Sequence, residues 1–293
     1  MATSTLEQPK KNVGSHSAVS QAKVGGKKED SKMWTKAVVS TSRVLSPTVK
    51  SLTLKAPNTF KFHPGQWVDF LIPHLDVIGG YSFTSTPKLL QSKGTLELAV
   101  KISKHPAASW IHDKCKQGDE VLIKSGGNFK LKGGQIDGEN SISTSPAPVH
   151  HVFIAGGIGI TPFISMIRSI REGNGQELKE GGEENKTQSV EGCTLFYSAR
   201  TASELIYLDE LKTLCDEDSV FTFTSTQKDD GWEGERGRID GDKLTPLLCR
   251  SNKSTSEMIF YLCGPPSMTE DIRTLLQDTF KISKERILYE KWW

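Results

Sequence analysis

The residues best suited to chemistry lie in His151-Val152-Phe153-Ile154-Ala155-Gly156-Gly157-Ile158-Gly159-Ile160-Thr161-Pro162. The apolar run that opens this stretch reads as a strand buried on both faces. Three glycines then leave the backbone bare where the chain must turn. Pro162 suits the first turn of a helix, and Thr161 before it suits the N-cap. Unpaired N–H groups at a helix N-terminus favour a phosphate or pyrophosphate. Gly156, Gly157, Ile158, Gly159, Ile160, Thr161 and Pro162 are therefore a candidate phosphate loop. A tight turn without a ligand gives the same local pattern, so the motif needs support from the rest of the chain.

From about Val149 to Trp293, strand and helix patterns alternate. After the strand at 151–155 come a helix from about Thr161 to Arg171, a strand at Cys193–Ser198 and a helix from Ser203 to about Cys215. A strand at Val220–Thr224 and a short helix within 240–249 follow. The last elements are a strand at Met258–Cys263, a helix from Ser267 to about Phe280 and a strand at Arg286–Tyr289. This alternation predicts a parallel sheet with helices on both faces. Ligands of such sheets bind at the carboxyl ends of the strands, where Gly156-Gly157 and Cys263-Gly264-Pro265-Pro266 both fall.

Residues 33–148 read differently. Short alternating strands cover Trp34–Leu54, Trp67–Ile72, Thr95–Ile102 and Val121–Ile123, with one short helix at Ala107–Cys115. That pattern predicts an antiparallel barrel. Within it, Gly80-Tyr81-Ser82-Phe83-Thr84-Ser85-Thr86-Pro87 places Tyr81 and Phe83 on one side and Ser82 and Thr84 on the other. Residues 1–32, rich in Ser, Lys, Gly and Gln, are expected to be a disordered tail. Gly133–Pro148 reads as an interdomain linker, and Glu172–Gly192 as a surface insertion.

The 293 residues suffice for two domains. A net charge of +2 gives no reason to expect nucleic acid, and no apolar stretch reaches the ~18–20 residues that span a bilayer. Cys115, Cys193, Cys215, Cys249 and Cys263 lack zinc or iron–sulfur spacing, so no metal is expected.

The order of motifs resembles the ferredoxin–NADP reductase superfamily over about residues 33–293: a barrel with Tyr81-Ser82, then Gly156-Gly157-x-Gly159-x-Thr161-Pro162, then Cys263-Gly264-Pro265-Pro266-x-Met268. The resemblance implies a flavin-binding β-barrel followed by a Rossmann-like domain for a nicotinamide dinucleotide. It implies a flavin-dependent oxidoreductase that takes hydride from NADH or NADPH and passes electrons to a separate acceptor. Tyr81 would pack on the flavin ring, Ser82 would bond near N5, and Ser109 would mark the FAD pyrophosphate site. Thr84 would belong to the same flavin strand. The 156–162 loop, with Gly264 and Pro265, would hold the dinucleotide, and Cys263 would position its nicotinamide. Trp293, in preference to Trp292, would cover the flavin. The resemblance points to mitochondria, with the cytosol as alternative.

Two positions depart from the family pattern. Gly79 stands where the flavin motif carries arginine, and His105-Pro106 stand where glycines precede Ser109. FAD therefore loses a bidentate partner, leaving FMN or weakly held FAD as alternatives, with Lys101, Lys104 or His105 as replacement partners. The departures also suit a dinucleotide-binding sensor with an abandoned flavin site. For the coenzyme, Ser225–Asp230 carries no arginine, which favours NAD, whereas Arg200 could meet the 2′-phosphate of NADP.

Overall fold

A computed structural model describes residues 34–132, 149–174, 192–215, 219–227, 231–250 and 255–291. The expected tail and linker, most of the expected insertion, and Trp292 and Trp293 lie outside the described residues.

Six antiparallel strands fill the first half: β1 (Thr35–Ser46), β2 (Val49–Lys55), β3 (Trp67–Ile72), β4 (Val77–Ser82), β5 (Thr95–Lys101) and β6 (Glu120–Gly126). Their order is β4-β3-β6-β1-β2-β5. An antiparallel bridge between Phe83 and Leu98 joins the two ends. The Thr84 N–H adds a bond to the Glu97 carbonyl at 2.9 Å, closing the sheet into a barrel. Period-two alternation on β2 and β5 sends Leu52, Leu54, Leu96 and Leu98 inward beside Phe70 and Phe83, all fully buried. The alternation expected past Tyr81 stops with β4 at Ser82: Phe83, Thr84 and Ser85 are all buried where the chain crosses to the far edge. Ile102, the last residue of the strand expected at 95–102, is exposed, because β5 ends at Lys101. Two helices complete this half, α1 (Pro87–Lys93), which the sequence pattern did not single out, and α2 (Pro106–Asp113).

The second half holds β7 (His150–Gly156), α3 (Ile160–Asn174), β8 (Cys193–Ala199), α4 (Leu208–Leu214), β9 (Val220–Ser225), β10 (Glu235–Arg236), α5 (Gly241–Arg250), β11 (Met258–Gly264), α6 (Pro266–Thr274) and β12 (Ile287–Lys291). All strand pairs are parallel, in the order β10-β9-β8-β7-β11-β12. Every residue of β7 is buried. Phe153 and Ala155 enter a core with Phe163 and Ile164 of α3. Val152 and Ile154 enter a second core with Phe260, Leu262 and Ile272 on the opposite face. Two-sided burial of this kind is what the unbroken apolar run of 152–155 requires. The chain leaves β7 on one side toward β10 and returns to β11 on the other, so the sheet has its switch point between β7 and β11. No described helix is long and apolar enough to cross a membrane.

The single helix expected over 203–215 is broken. A 3₁₀ turn covers Ala202–Glu204, and Tyr207 adopts a left-handed conformation (φ 63°) before α4 begins. The Tyr207 ring lies 5.4 Å beneath the Arg168 guanidinium, and this tertiary contact fixes the break.

Arg168, on α3, ties the two halves together. Its Nη1 donates to the Thr84 carbonyl at 2.7 Å and to Glu97 at 3.1 Å. Its Nε and Nη2 form a fork on Glu210 at 2.6 and 2.8 Å. Ser165 Oγ donates to the Ser85 carbonyl at 2.7 Å, and Thr86 Oγ1 donates to Glu172 at 2.9 Å. The helix thus grips residues 84–86, directly after Ser82. Arg168→Met leaves Glu97 and Glu210 without their shared cation in a half-buried junction. It is expected to lower unfolding stability in urea by about 2–4 kcal/mol; a loss under about 1 kcal/mol would show that the junction does not depend on it.

Candidate active site

β7 runs through Gly156, and a 3₁₀ turn of Gly157-Ile158-Gly159 leads into α3. Gly159 has no room for a side chain, because its Cβ would fall on the Cys263 carbonyl. Gly157 has φ 55°, and a Cβ there would meet nothing within 4 Å. One glycine therefore permits close contact between β7 and β11, and the other leaves bare backbone facing open space. The Thr161 hydroxyl donates to the Ile158 carbonyl at 2.9 Å, inside the first helical turn. It thus closes the turn from within and does not act as the expected N-cap, and the helix begins at Ile160.

Two adjoining cavities of about 300 and 310 Å³ open over this turn. Both are lined by Lys101, Gly156, Gly157 and Pro265. One extends to Ser198, Arg200, Thr226 and Arg238 around the carboxyl ends of β8 and β9. The other extends along Ile158, Gly159 and Gly264. Helix-terminal N–H groups on one wall and the Lys101 ammonium on the other suit a pyrophosphate. The Arg200 carbonyl accepts the Gln227 N–H at 2.8 Å, which locks the loops after β8 and β9 together.

Lys101 comes from the barrel. Its Nζ lies 3.5 Å from Glu204, whose carboxylate also accepts the Ser46 and Thr48 hydroxyls at 3.3 and 2.6 Å. Expected as a replacement partner for a flavin phosphate, Lys101 lines the crevice over Gly156–Gly157 instead. Arg238 and Glu204 were not singled out from sequence. Arg238 follows a two-residue strand, too short to show any periodicity.

The Cys263 thiol is fully buried in the core between the sheet and α3. Burial, with the Glu290 carboxylate paired opposite on β12, holds it well above the ordinary thiol range. It therefore stays a neutral thiol and is not a nucleophile.

On the barrel side, Ser82 is buried opposite Trp67. The half-buried Tyr81 ring meets Phe70 edge-on and packs over Gly79, where a Cβ would lie 2.5 Å from Tyr81 Oη. That hydroxyl is buried without a partner, and burial raises its pKa. An orphaned donor of this kind fits a ligand bearing acceptors beside the Tyr81–Ser82 strand. A diphosphate fits less well. At the start of α2, Pro106 has no N–H, and the Ala107 N–H is taken by His105 Nδ1 at 3.3 Å. Ser109 sits one turn inside the helix, with Oγ donating back to the Ser103 carbonyl at 3.2 Å. Among the described residues the Tyr81–Ser82 strand thus offers an aromatic ring and an unpaired donor, whereas Pro106 and Ala107 offer no free N–H at the start of α2. Thr84 is fully buried at the Arg168 junction.

The structure therefore brings Gly156–Gly159, Arg200, Gly264 and Pro265 around one crevice, whereas Ile160, Thr161, Pro162 and the Cys263 thiol do not line it, and Cys263 is turned into the core. Tyr81 and Ser82 stand on the barrel strand that precedes the α3 grip, and Ser109 belongs to a separate turn.

The family model for the oxidoreductase NAD-binding domain matches residues 153–274. Oxidoreductase NAD-binding domain-containing protein 1 of Homo sapiens is 35% identical over 253 residues, covering 85% of this chain and 76% of that protein. The Glu290-Lys291-Trp292-Trp293 ending points to the same relative. Among solved structures, the flavohem-like FAD/NAD-binding domain of nitric oxide dioxygenase from Vibrio cholerae superimposes with a TM-score of 0.64 at 20% identity, covering 88% of this chain and 98% of that one. The CS-b5R domains of human Ncb5or give 0.68 at 20%, covering 87% and 69%. At such identities the structures establish the fold, which is that of the ferredoxin–NADP reductases.

Two outcomes follow from this geometry. Gly159→Ala should weaken titrated binding of a nicotinamide dinucleotide by at least about tenfold, since β7 and β11 must separate; unchanged affinity would remove the loop from the site. Cys115 is pushed up to about 12, chiefly by burial and then by Asp119, with Lys50 opposing. At pH 8 its thiolate is about a thousandfold scarcer than that of an ordinary thiol of pKa 9.0. Of Cys115, Cys215 and Cys263, iodoacetamide at pH 8 should label only the exposed Cys215; rapid labelling of Cys263 would contradict its assignment as a neutral core thiol.

Proposed function

We propose, for a chain that belongs to the family of oxidoreductase NAD-binding domain-containing protein 1, an NAD(P)H-dependent flavin oxidoreductase. The observation that carries this reading is the bare Gly157–Gly159 turn at the switch point, faced by Lys101 from the barrel. A flavin ring beside Tyr81 and Ser82 would supply the two-electron acceptor for hydride from nicotinamide C4.

The chain's own part is to bind, orient and exclude water. The start of α3 and Lys101 take the pyrophosphate. Arg200, Thr226 and Arg238 take the adenosine end. Cys263 contributes a compact neutral contact near the nicotinamide, and Ser82 a hydroxyl at the flavin ring. Trp293 is the proposed cover of that ring. No proton needs to be moved by a side chain in the hydride step, and α3 keeps the two halves in register through Arg168.

The lack of arginine in 225–230 favoured NADH, but Arg238 returns a guanidinium to the same cavity as Arg200. Two guanidiniums there suit a 2′-phosphate, so NADPH is proposed as a substrate alongside NADH. Arg238→Ala should then lower kcat/KM for NADPH at least about threefold more than for NADH. Equal losses would assign Arg238 to the shared part of the coenzyme.

The reading itself is tested by anaerobic mixing of the protein, a reduced nicotinamide dinucleotide and added FAD or FMN. Bleaching of the flavin band that depends on the protein supports it. If no flavin is bleached although the dinucleotide binds, the chain is a dinucleotide-binding sensor.

A further inference from the structure

We propose that flavin is a dissociating substrate of this protein, recognised by its ring end at Tyr81–Ser82, and not a resident FAD. This rests on the oxidoreductase reading above and deepens it by naming the acceptor class: a free flavin, with or without phosphates.

Three observations converge on it. First, position 79 carries no cation toward a phosphate: it is glycine, and the Tyr81 ring packs over it, with Oη 2.5 Å and Cζ 2.7 Å from where a Cβ would lie. Second, the start of α2 is occupied by its own chain. Pro106 offers no donor, Ala107 is capped by His105 Nδ1, the Ser109 N–H bonds to the His105 carbonyl at 3.0 Å, and Ser109 Oγ turns back to Ser103. Third, two of the nearby cations are placed elsewhere: Lys101 lines the crevice over Gly156–Gly157, and Lys50 Nζ donates to the His112 carbonyl at 2.5 Å. Lys104 is exposed, and one flexible ammonium there adds little to the binding of a phosphate.

What the barrel does offer is suited to the uncharged part of the molecule. The Tyr81 ring gives an aromatic surface, and its hydroxyl is a buried donor with no partner. A ligand acceptor beside it would relieve the cost of that orphan, and riboflavin carries as many such acceptors as FAD.

The reaction balances as NAD(P)H, a proton and oxidised flavin giving NAD(P)⁺ and dihydroflavin. The C4–H bond breaks, its electron pair and proton pass together to flavin N5, and the second proton comes from water. Dihydroflavin then leaves with both electrons. The acceptor consequently need not dock on this chain, and the next reaction must be one that consumes freely diffusing reduced flavin.

The test uses the full chain. Riboflavin, FMN and FAD are each varied in anaerobic NADH and NADPH oxidation, and the affinity of each is read separately by quenching of flavin fluorescence. The expected result is kcat/KM and affinity for the three flavins within about fivefold of one another, with flavin lost on gel filtration. A larger preference for FAD, or FAD retained at one per chain, overturns the proposal. Tyr81→Phe should weaken all three flavins by a common factor of about three to ten; a loss confined to FAD also overturns it. If the three bind alike but none is reduced, the oxidoreductase reading fails while ring recognition stands. If none binds, both fail.

Discussion

The architecture depends on one close approach of backbone to backbone. Gly159 lies against the Cys263 carbonyl, and Gly156 lies against Gly264, where a Cβ would be 3.0 Å from the neighbouring Cα. This contact brings the carboxyl ends of β7 and β11 together at the switch point and sets where α3 begins. About 12 Å along that helix, at a rise of 1.5 Å per residue, Arg168 reaches the barrel at Thr84 and Glu97. The N-terminus of one rigid element therefore faces the crevice while its next turns hold the segment that follows Ser82. Displacing β11 from Gly159 would move the dinucleotide wall and the barrel strand together.

The electrostatics of the crevice divide along its length. The bare turn and Lys101 stand in the middle and Arg200 and Arg238 at the far end, with the Glu204 and Asp271 carboxylates in the same lining. Glu204 holds Lys101 and the Ser46–Thr48 turn from below, which joins the barrel to this wall as well. Toward Gly264 the lining is neutral: glycine backbone, Ile158 and proline rings. A pyrophosphate would thus meet the basic middle of the crevice, and a nicotinamide its neutral end.

Much of this was legible in the sequence because it rests on local rules. The Val152–Ala155 run had to be buried on both faces, and the alternation on β2 and β5 had to close around a core. What escaped depends on tertiary contacts. Ser203–Cys215 has the spacing of one helix, but Tyr207 is held left-handed under Arg168, a partner 39 positions away in the chain. Thr161 has the chemistry of an N-cap, yet the preceding 3₁₀ turn gives its hydroxyl the Ile158 carbonyl to bond. Arg238 reaches the crevice through a strand of two residues, which carries no pattern. His105 was visible as a missing glycine, but only its ring orientation shows that it caps α2.

The most direct measurement is an amide NMR titration of the deuterated full chain with NAD⁺. The account predicts that the largest shifts fall on Gly157, Ile158, Gly159 and Gly264, with further changes at Lys101 on the barrel. Saturable binding that leaves these amides unmoved and shifts signals elsewhere, for example on α5, would contradict the placement of the dinucleotide and the functional reading built on it.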